Sequence, residues 1–266
     1  MIEEQLLGLI EDPKEKKDLL LQLYFRTNRI PEEKIFGEVD RDLWKNLERY
    51  GDVSSLPNYA GVDIGVALRA PDEITLRNKK DSVMCVMKAS PIWANVWHIG
   101  LESAEEVIVM LATKLQKTFG FAESCTGGLC SHRVTNVSGA SRCFWGSVVS
   151  YDNSVKLHQL GVNLETLQDH GAVSVETARE MAAGVRLSLG VDIGVSITGI
   201  AGPHGGSTEK PVGTVCIGWS TTDETDAVRL QFFGDRELLK NRFAQSALYT
   251  LLERLEKIAG STRGTR

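Results

Sequence analysis

A glycine-containing turn at residues 123–128, with the sequence ESCTGG, follows a short apolar segment and leads into a predicted helix, LCSHRV. Gly127 and Gly128 allow the backbone to approach a ligand closely, and free N–H groups at a helix start favour an anion such as phosphate. The alternative is purely structural, because Ser124 or Thr126 would cap the same helix. The turn therefore predicts either a phosphate contact or a simple cap.

A second glycine-dense loop, GIAGPHGGS at residues 199–207, directly follows the apolar run VDIGVSIT at residues 191–198. Open α/β sheets bind their ligands at the carboxyl ends of such strands. The loop lacks the GK[ST] of a Walker A motif and does not match GxGxxG. We expect it to contact a ligand, with an ordinary surface loop as the alternative.

A third segment brings a hydroxyl, a phenol and an amine together between residues 139 and 156: Ser141, Tyr151 and Lys156. A serine needs a base to become a nucleophile, and a lysine or tyrosine of lowered pKa serves where no histidine is suitably placed. Each residue also has an ordinary structural interpretation. Ser141 would cap a turn, Tyr151 would end a strand and Lys156 would be a solvated charge.

The histidines and cysteines offer little chemistry of their own. The five histidines show no HxH or HExxH spacing and no pairing with cysteine at metal-ligand intervals, so we predict no metal site. Cys125 lies beside Ser124 in the first turn. It is either a thiol nucleophile or a small buried hydrophobe.

The segments that would position these groups alternate between strands and helices after Gly120, which predicts a layered α/β domain. The predicted strands cover residues 143–151, 191–198, 212–219 and 227–233. Ser103 and Ser174 are placed to cap helices, and Gly190 is placed to end the second of these. A long amphipathic helix closes the chain, with Leu239, Phe243, Ala247, Leu251 and Leu255 on one stripe.

The first hundred residues show a different pattern. Residues 1–50 have apolar positions at helical spacing, including Leu6, Leu7, Ile10, Leu19, Leu20, Leu23 and Tyr24, and predict a small helical bundle. The run GVDIGVALR at residues 61–69 has strand character. Residues 84–100 suggest further strand around a proline-containing bend.

Composition excludes several classes of protein. A chain of 266 residues suits two domains, and its net charge of -5 argues against a broad nucleic-acid-binding face. No apolar run approaches the ~18 to 20 residues of a membrane span. The N-terminus lacks the features of a signal peptide. Five scattered cysteines fit a reducing compartment, so we expect a cytoplasmic protein.

Taken together, the segments resemble one known family. In order they are AESCTGG, GAS, GSVVSYDNSVK, LGV, HGAVS, SITGIAGP, GGSTEKPVGTV and FFGDRELLK. This series resembles the C-terminal domain of the competence/damage-inducible protein CinA, which is also found alone as nicotinamide-nucleotide amidase. The resemblance covers about residues 115–258. It implies an α/β fold of three layers, in which a sheet is covered by helices on both faces.

The resemblance also implies an activity. The expected reaction is hydrolysis of the carboxamide of nicotinamide mononucleotide to nicotinate mononucleotide and ammonia, within pyridine-nucleotide salvage and NAD metabolism. A serine nucleophile would act without histidine, metal or cofactor, and the family tends to form homodimers. The alternatives are a nucleotide-binding regulator that has lost turnover and an amidohydrolase acting on another amide.

The roles of individual residues follow from the matching motifs. The resemblance implies Ser141 as nucleophile, with Tyr151 and Lys156 to activate it, although Ser124 is the alternative nucleophile. The implied substrate-binding residues are Ser124, Thr126, Gly127, Gly128, Thr198, Gly199, Gly202, Gly206 and Arg236. Arg236 would contact either the phosphate or the reacting centre.

The match has two departures. The family's YSNEAK-like stretch reads YDNSVK here, so that Asp152, Ser154 and Val155 differ. Residues 1–100 do not resemble the molybdopterin-binding-like domain of long CinA proteins. We therefore expect a smaller accessory domain, α/β or helical and of unassigned function, at residues 1–100, and a CinA C-terminal-like amidase domain at residues 101–266.

Overall fold

The computed structural model describes residues 18–28, 30–59 and 61–263. The chain divides into two units, the first ending at Leu101 and the second beginning at Glu102. Each unit has its own sheet, of four strands in the first and five in the second. No helix in the described ranges has the length and apolar character needed to cross a membrane.

The first unit is an α/β domain. Its elements are β1 (Leu19–Thr27), α1 (Glu32–Lys34) with a following π-helical turn (Ile35–Val39), α2 (Leu43–Glu48), β2 (Asp52–Pro57), β3 (Val62–Ala70), α3 (Glu73–Ala89), a 3-10 turn (Pro91–Asn95) and β4 (Val96–Ile99). The strand order is β2-β3-β1-β4 and every pair is antiparallel. This is the split β-α-β arrangement of ferredoxin-like folds.

Two predictions for the first unit are wrong. The stretch Leu19–Thr27 is a strand and not a helix, because its apolar residues also alternate, and Leu23 and Phe25 enter the core on the same face. Residues 84–89 complete α3, which Asp72 caps through the N–H of Thr75, so the strand predicted there begins only at Val96. Leu6, Leu7 and Ile10 lie outside the described residues.

The second unit holds the predicted α/β alternation. Its elements are α4 (Ala104–Leu115), β5 (Phe119–Glu123), α5 (Leu129–Thr135), a 3-10 turn (Ala140–Arg142), β6 (Phe144–Val149), α6 (Asn153–Leu160), α7 (Leu164–Asp169), α8 (Val175–Leu189), β7 (Ile193–Gly199), β8 (Thr214–Ser220), β9 (Thr225–Gln231) and α9 (Arg236–Arg263). The predicted caps Ser103 and Ser174 and the left-handed end at Gly190 are all present.

The second sheet has the order β6-β5-β7-β8-β9. Strands β6, β5 and β7 are parallel, and β8 and β9 continue the sheet antiparallel. Helix α8 packs on the sheet with α6 beside it, while α9 packs on the sheet with α4 and α5. The three-layer fold is therefore confirmed.

This topology gathers five chain segments at one edge of the second sheet. The carboxyl ends of β5, β6 and β7 lie there, together with the start of β8 and the end of β9. The chain leaves β5 through α5 on one face and reaches β7 through α8 on the other. Ligands of open α/β sheets bind at such a switch point, which makes the carboxyl edge the candidate ligand site.

Candidate active site

Ser124 lies at the end of β5 and its hydroxyl makes no hydrogen bond with any other described residue. Side chains alternate along a strand, and Ala122 packs with Leu160 and Val185 on the side of α6 and α8. The side chain of Ser124, two residues after Ala122, therefore lies on the same face of the sheet. The N–H of Ser124 continues the β-sheet hydrogen bonding by donating to Ile197 O at 2.9 Å. Its side chain is nearly buried, with 8% of the residue exposed.

Lys156 supplies a buried amine on the same face. It lies on α6, one turn before Leu160, and is 1% exposed. Its Nζ donates to the carbonyl oxygens of Ser150 at 2.8 Å and Tyr151 at 3.3 Å. A neutral amine has two N–H groups and one lone pair. With both N–H groups held by carbonyls, the lone pair remains free to accept a proton.

Burial favours that neutral form. Removal from water lowers the pKa of the Lys156 amine from its ordinary 10.5, and the carboxylate of Asp152 opposes this only in part. From the sequence, either burial or a neighbouring cation such as Arg236 would have to lower this pKa. Of these two causes, burial is the one that lowers the pKa in the structure.

Arg236, the first residue of α9, bridges two of the segments at the carboxyl edge. Its Nη1 donates to Gly202 O at 2.6 Å and its Nη2 to the phenol oxygen of Tyr151 at 3.3 Å. Gly202 follows β7 and Tyr151 follows β6, and β5 lies between these two strands. The guanidinium therefore spans the end of β5, close to the turn that carries Ser124.

Glu123 is fully buried and its carboxylate occupies the start of α5. Oε2 accepts the N–H groups of Gly128 at 3.0 Å and Cys130 at 3.1 Å. Oε1 accepts both the N–H and the hydroxyl of Ser131, at 2.9 and 2.6 Å. The donors that would bind an anion at this helix start are thus already bonded to an anion of the protein.

The N–H groups of Gly127 and Gly128 already have acceptors within the protein, so a phosphate contact through them stays a prediction without support from this geometry. The N–H of Gly128 donates to Glu123, and that of Gly127 closes the turn by donating to Ser124 O at 3.0 Å. Both glycines have positive φ, 64° and 97°, which explains their residue type without a ligand.

Ser141 lies away from the other catalytic candidates, so the geometry lends no support to its assignment as nucleophile, which stays a prediction. It is exposed in the 3-10 turn before β6, and the nearby Cys143 O accepts from the N–H of Phe119 at the start of β5. Tyr151 follows the other end of β6. At about 3.3 Å per residue, the six-residue strand separates the two by roughly 20 Å.

The second glycine loop lies at the predicted edge, and its residues have structural reasons for their types. The hydroxyl of Thr198 donates to Ala172 O at 2.7 Å. A Cβ on Gly202 would lie 2.7 Å from Val212 Cγ1, and a Cβ on Gly206 would lie 2.7 Å from the backbone N of Val212. Gly199 ends β7 in similarly close contact with β8. Direct substrate contacts from these residues remain a prediction.

Two further hydroxyls at the carboxyl edge are buried without a hydrogen-bond partner in the described part of the chain, Thr126 Oγ1 and Ser150 Oγ. Thr126 was identified from the sequence, whereas Ser150 and the capping role of Glu123 were not. The available signal for Glu123 is a carboxylate that ends a buried apolar strand, FGFAE, shortly before a helix start. The signal for Ser150 is its position beside Tyr151 at a strand end.

The two remaining features that the sequence raised are the Cys125 thiol and a metal site. Burial raises the pKa of the Cys125 thiol to about 12, and the carboxylate of Glu123 adds to this. Cys125 is therefore protonated at neutral pH and behaves as a small buried hydrophobe. Over the described ranges, no group of three or more His, Cys, Asp or Glu side chains is arranged to hold a metal ion.

Comparison with known proteins extends the resemblance. Residues 101–255 match the family model described as CinA C-terminal domain. A CinA-like protein of Thermotoga maritima is 39% identical over 248 residues, which cover 93% of this chain and 59% of the relative. A CinA-like protein of Kosmotoga olearia is 49% identical over 153 residues, which cover 58% of this chain and 37% of the relative. The chain thus spans less than two thirds of the length of these relatives.

Solved structures match the second unit. A CinA superfamily protein from Klebsiella pneumoniae is 30% identical with a TM-score of 0.56, covering 59% of this chain and 99% of its own. The competence/damage-inducible protein CihA from Agrobacterium tumefaciens is 34% identical with a TM-score of 0.54, again covering 59% and 99%. With its fold, its ordered motifs and a family model matching more than half its length, the chain belongs to the CinA C-terminal domain family.

Proposed function

We propose that this protein hydrolyses the carboxamide of nicotinamide mononucleotide to nicotinate mononucleotide and ammonia, with Ser124 as nucleophile and Lys156 as base. The observation that carries the proposal is a buried amine whose two N–H groups are held by carbonyls, on the same face as an unbonded serine hydroxyl. Family membership supports the reaction class, since the sequence resembles nicotinamide-nucleotide amidase.

Formation of the acyl-enzyme is the first half of the proposed reaction. The Ser124 hydroxyl gives its proton to the lone pair of Lys156 as Oγ forms a bond to the carboxamide carbon. Lys156 then returns this proton to the amide nitrogen, and the C–N bond breaks. Ammonia leaves, and the pyridine carbonyl remains as an ester on Ser124.

Hydrolysis of the ester is the second half. A water molecule gives one proton to Lys156 while its oxygen bonds to the same carbon, and the bond to Ser124 Oγ breaks. Lys156 returns the proton to Oγ, so enzyme and base are restored. One water is consumed per carboxamide, and neither a metal nor a cofactor enters any step.

Negative charge develops on the carbonyl oxygen in both halves and needs donors near Ser124. Arg236 spans the end of β5 and keeps further N–H groups beyond the two it gives to Gly202 and Tyr151. The buried hydroxyl of Thr126, two residues after Ser124, has no partner in the described chain and is a second donor. We assign Arg236 to the reacting centre and not to the phosphate.

Ammonia release tests this function directly. Purified protein would be offered nicotinamide mononucleotide, nicotinamide riboside and nicotinamide in parallel, each with and without a chelator. We expect turnover of the mononucleotide alone, unchanged by the chelator and absent from Ser124→Ala. Equal turnover of the riboside, or loss of activity with the chelator, would contradict the proposal.

A further inference from the structure

Glu123 links three parts of the candidate site: the start of α5, Ser124 and the amine of Lys156. Its side chain accepts four hydrogen bonds from Gly128, Cys130 and Ser131 at the start of α5. Its own backbone leads directly into Ser124. Helix α5 and the residue before the nucleophile are therefore held by one buried carboxylate.

The main chain of Glu123 extends this connection toward the base. Glu123 O accepts the N–H of Ser150 at 2.8 Å, and Ser150 O accepts Nζ of Lys156 at 2.8 Å. Only Ser150 lies between the backbone of Glu123 and the amine. The proposed nucleophile, Ser124, directly follows Glu123 in sequence. The proposed base, Lys156, is linked to Glu123 by two hydrogen bonds through Ser150.

We propose that Glu123 is a positioning residue, whose carboxylate fixes the turn carrying Ser124 at the distance from Lys156 that the reaction requires. This inference rests on the function proposed above. Hydrogen bonds to an ionised carboxylate are stronger than neutral ones, and a turn with two positive-φ glycines has little rigidity of its own. A displacement of about 1 Å at a reacting group lowers a rate by roughly a hundredfold.

The competing explanation is that Glu123 only stabilises the fold. Glu105 provides a matched control, because it is also buried in the second unit and also bonds α5, through Arg133. Among the described residues, Glu105 has no hydrogen bond or ion pair with the turn or with Ser150. Loss of a purely structural carboxylate would reduce stability and leave the turnover of each folded molecule unchanged.

The experiment compares Glu123→Gln with Glu105→Gln, using ammonia release corrected for the folded fraction. Glutamine keeps the size of the side chain but places an NH2 group against donors. For Glu123→Gln we expect kcat to fall by roughly a hundredfold while KM for the mononucleotide changes less than about twofold. For Glu105→Gln we expect a lower Tm with kcat within about twofold of the wild type.

A second measurement does not depend on the substrate. A fluorophosphonate probe is attacked by an activated serine, which forms an O–P bond as fluoride leaves. We expect Ser124 to be labelled in the wild type and labelling to slow in Glu123→Gln in parallel with kcat. If that variant does not fold, Ser131→Ala removes one of the four bonds to the carboxylate and should slow both rates several-fold.

The outcomes separate the two proposals. A wild type that labels at Ser124 but releases no ammonia from the mononucleotide would remove the proposed substrate, while the labelling rates still decide the role of Glu123. Wild-type rates of labelling and turnover in folded Glu123→Gln or Ser131→Ala would overturn the positioning role. A wild type that neither labels nor turns over would overturn both proposals.

Discussion

Lys156 Nζ lies 2.8 Å from the carbonyl oxygen of Ser150, a residue whose own N–H is bonded to the end of the neighbouring strand β5. The amine is therefore fixed to the sheet as well as buried by α6. A lysine in this position is held out of water, and its burial favours the neutral form of the amine.

The first prediction is that kcat rises with pH through the pKa of Lys156. Only the neutral amine accepts the serine proton, and burial lowers its pKa below 10.5, so activity is lost as pH falls below that lowered value. The measurement is the pH profile of kcat from mildly acidic pH up to the ordinary lysine pKa of 10.5. Lys156→Met should be inactive throughout, and a flat wild-type profile would contradict the role of Lys156.

The second prediction concerns stability and the same group. Because folding lowers the pKa of Lys156, the unfolded chain binds more protons between the lowered value and 10.5. The free energy of unfolding therefore rises with pH across this window. Denaturant titrations should show a weaker rise in Lys156→Met, and equal pH dependence of the two proteins would argue against a buried lysine.

The third prediction separates the two serines. Ser124→Ala should lower kcat by roughly a thousandfold or more, the size of effect seen when a nucleophile is removed. Ser141→Ala should leave kcat within about twofold of the wild type, because Ser141 lies at the opposite end of β6. A large loss in Ser141→Ala with an intact Tm would restore the assignment made from sequence.

The fourth prediction is that Arg236 and Tyr151 act together. Arg236→Met removes the bonds to both Gly202 O and the phenol, and should lower kcat/KM by roughly a hundredfold, as for other donors to a developing oxyanion. Tyr151→Phe removes one of them and should have a smaller effect. A double-mutant cycle should give a coupling energy above about 0.5 kcal/mol, whereas additive effects would show that the bond has no role.

The fifth prediction concerns the amino edge of the same sheet. Asp192 accepts from Lys117 Nζ at 2.9 Å and from the N–H and hydroxyl of Thr118 at 2.8 and 3.0 Å. Burial alone would raise the pKa of Asp192. The hydrogen bonds lower it by a larger amount, so the pKa lies below its ordinary value of 3.8. The stabilisation is therefore present above pH 3.8 and is lost as pH falls through the lowered value.

Asp192→Asn should accordingly lower the free energy of unfolding by about 1 to 2 kcal/mol at neutral pH, which is the contribution of a hydrogen-bonded charge reduced for the partial exposure of the Asp192 and Lys117 side chains. The difference from the wild type should shrink in acid. Because Asp192 is at the edge opposite the candidate active site, kcat should not change. A change in kcat without a change in stability would contradict this assignment.

The sequence predicted the carboxyl edge well because local patterns determine it. Glycine-rich segments after short apolar strands at residues 119–123 and 193–199 are sufficient to place both loops, since parallel strands end at one edge. The same reasoning could not show that Ser141 and Lys156 lie far apart in space. Fifteen residues is a short distance along the chain, but a strand runs between them, and a strand is the most extended path available.

The helix predicted at Leu19–Thr27 was wrong and the role of Glu123 was missed for different reasons. In Leu19–Thr27 the apolar residues fit both a helical and an alternating period, and only pairing with β3 decides between them. The role of Glu123 depends on where α5 begins in space relative to the end of β5. A carboxylate at a strand end is not distinctive until the N–H groups of Gly128, Cys130 and Ser131 are seen to converge on it.

The arginine that spans the site is synthesised well after the residues it joins. The bonds from Ser131 to Glu123 close within eight residues of chain. Arg236 lies 85 residues after Tyr151, and at ~5 to 20 residues per second a ribosome needs roughly 4 to 17 s to make that stretch. A nascent chain thus carries Ser124 and Lys156 for seconds before Arg236 is added, and under the proposed mechanism a serine on such an unfinished chain would lack the donor that its reaction needs.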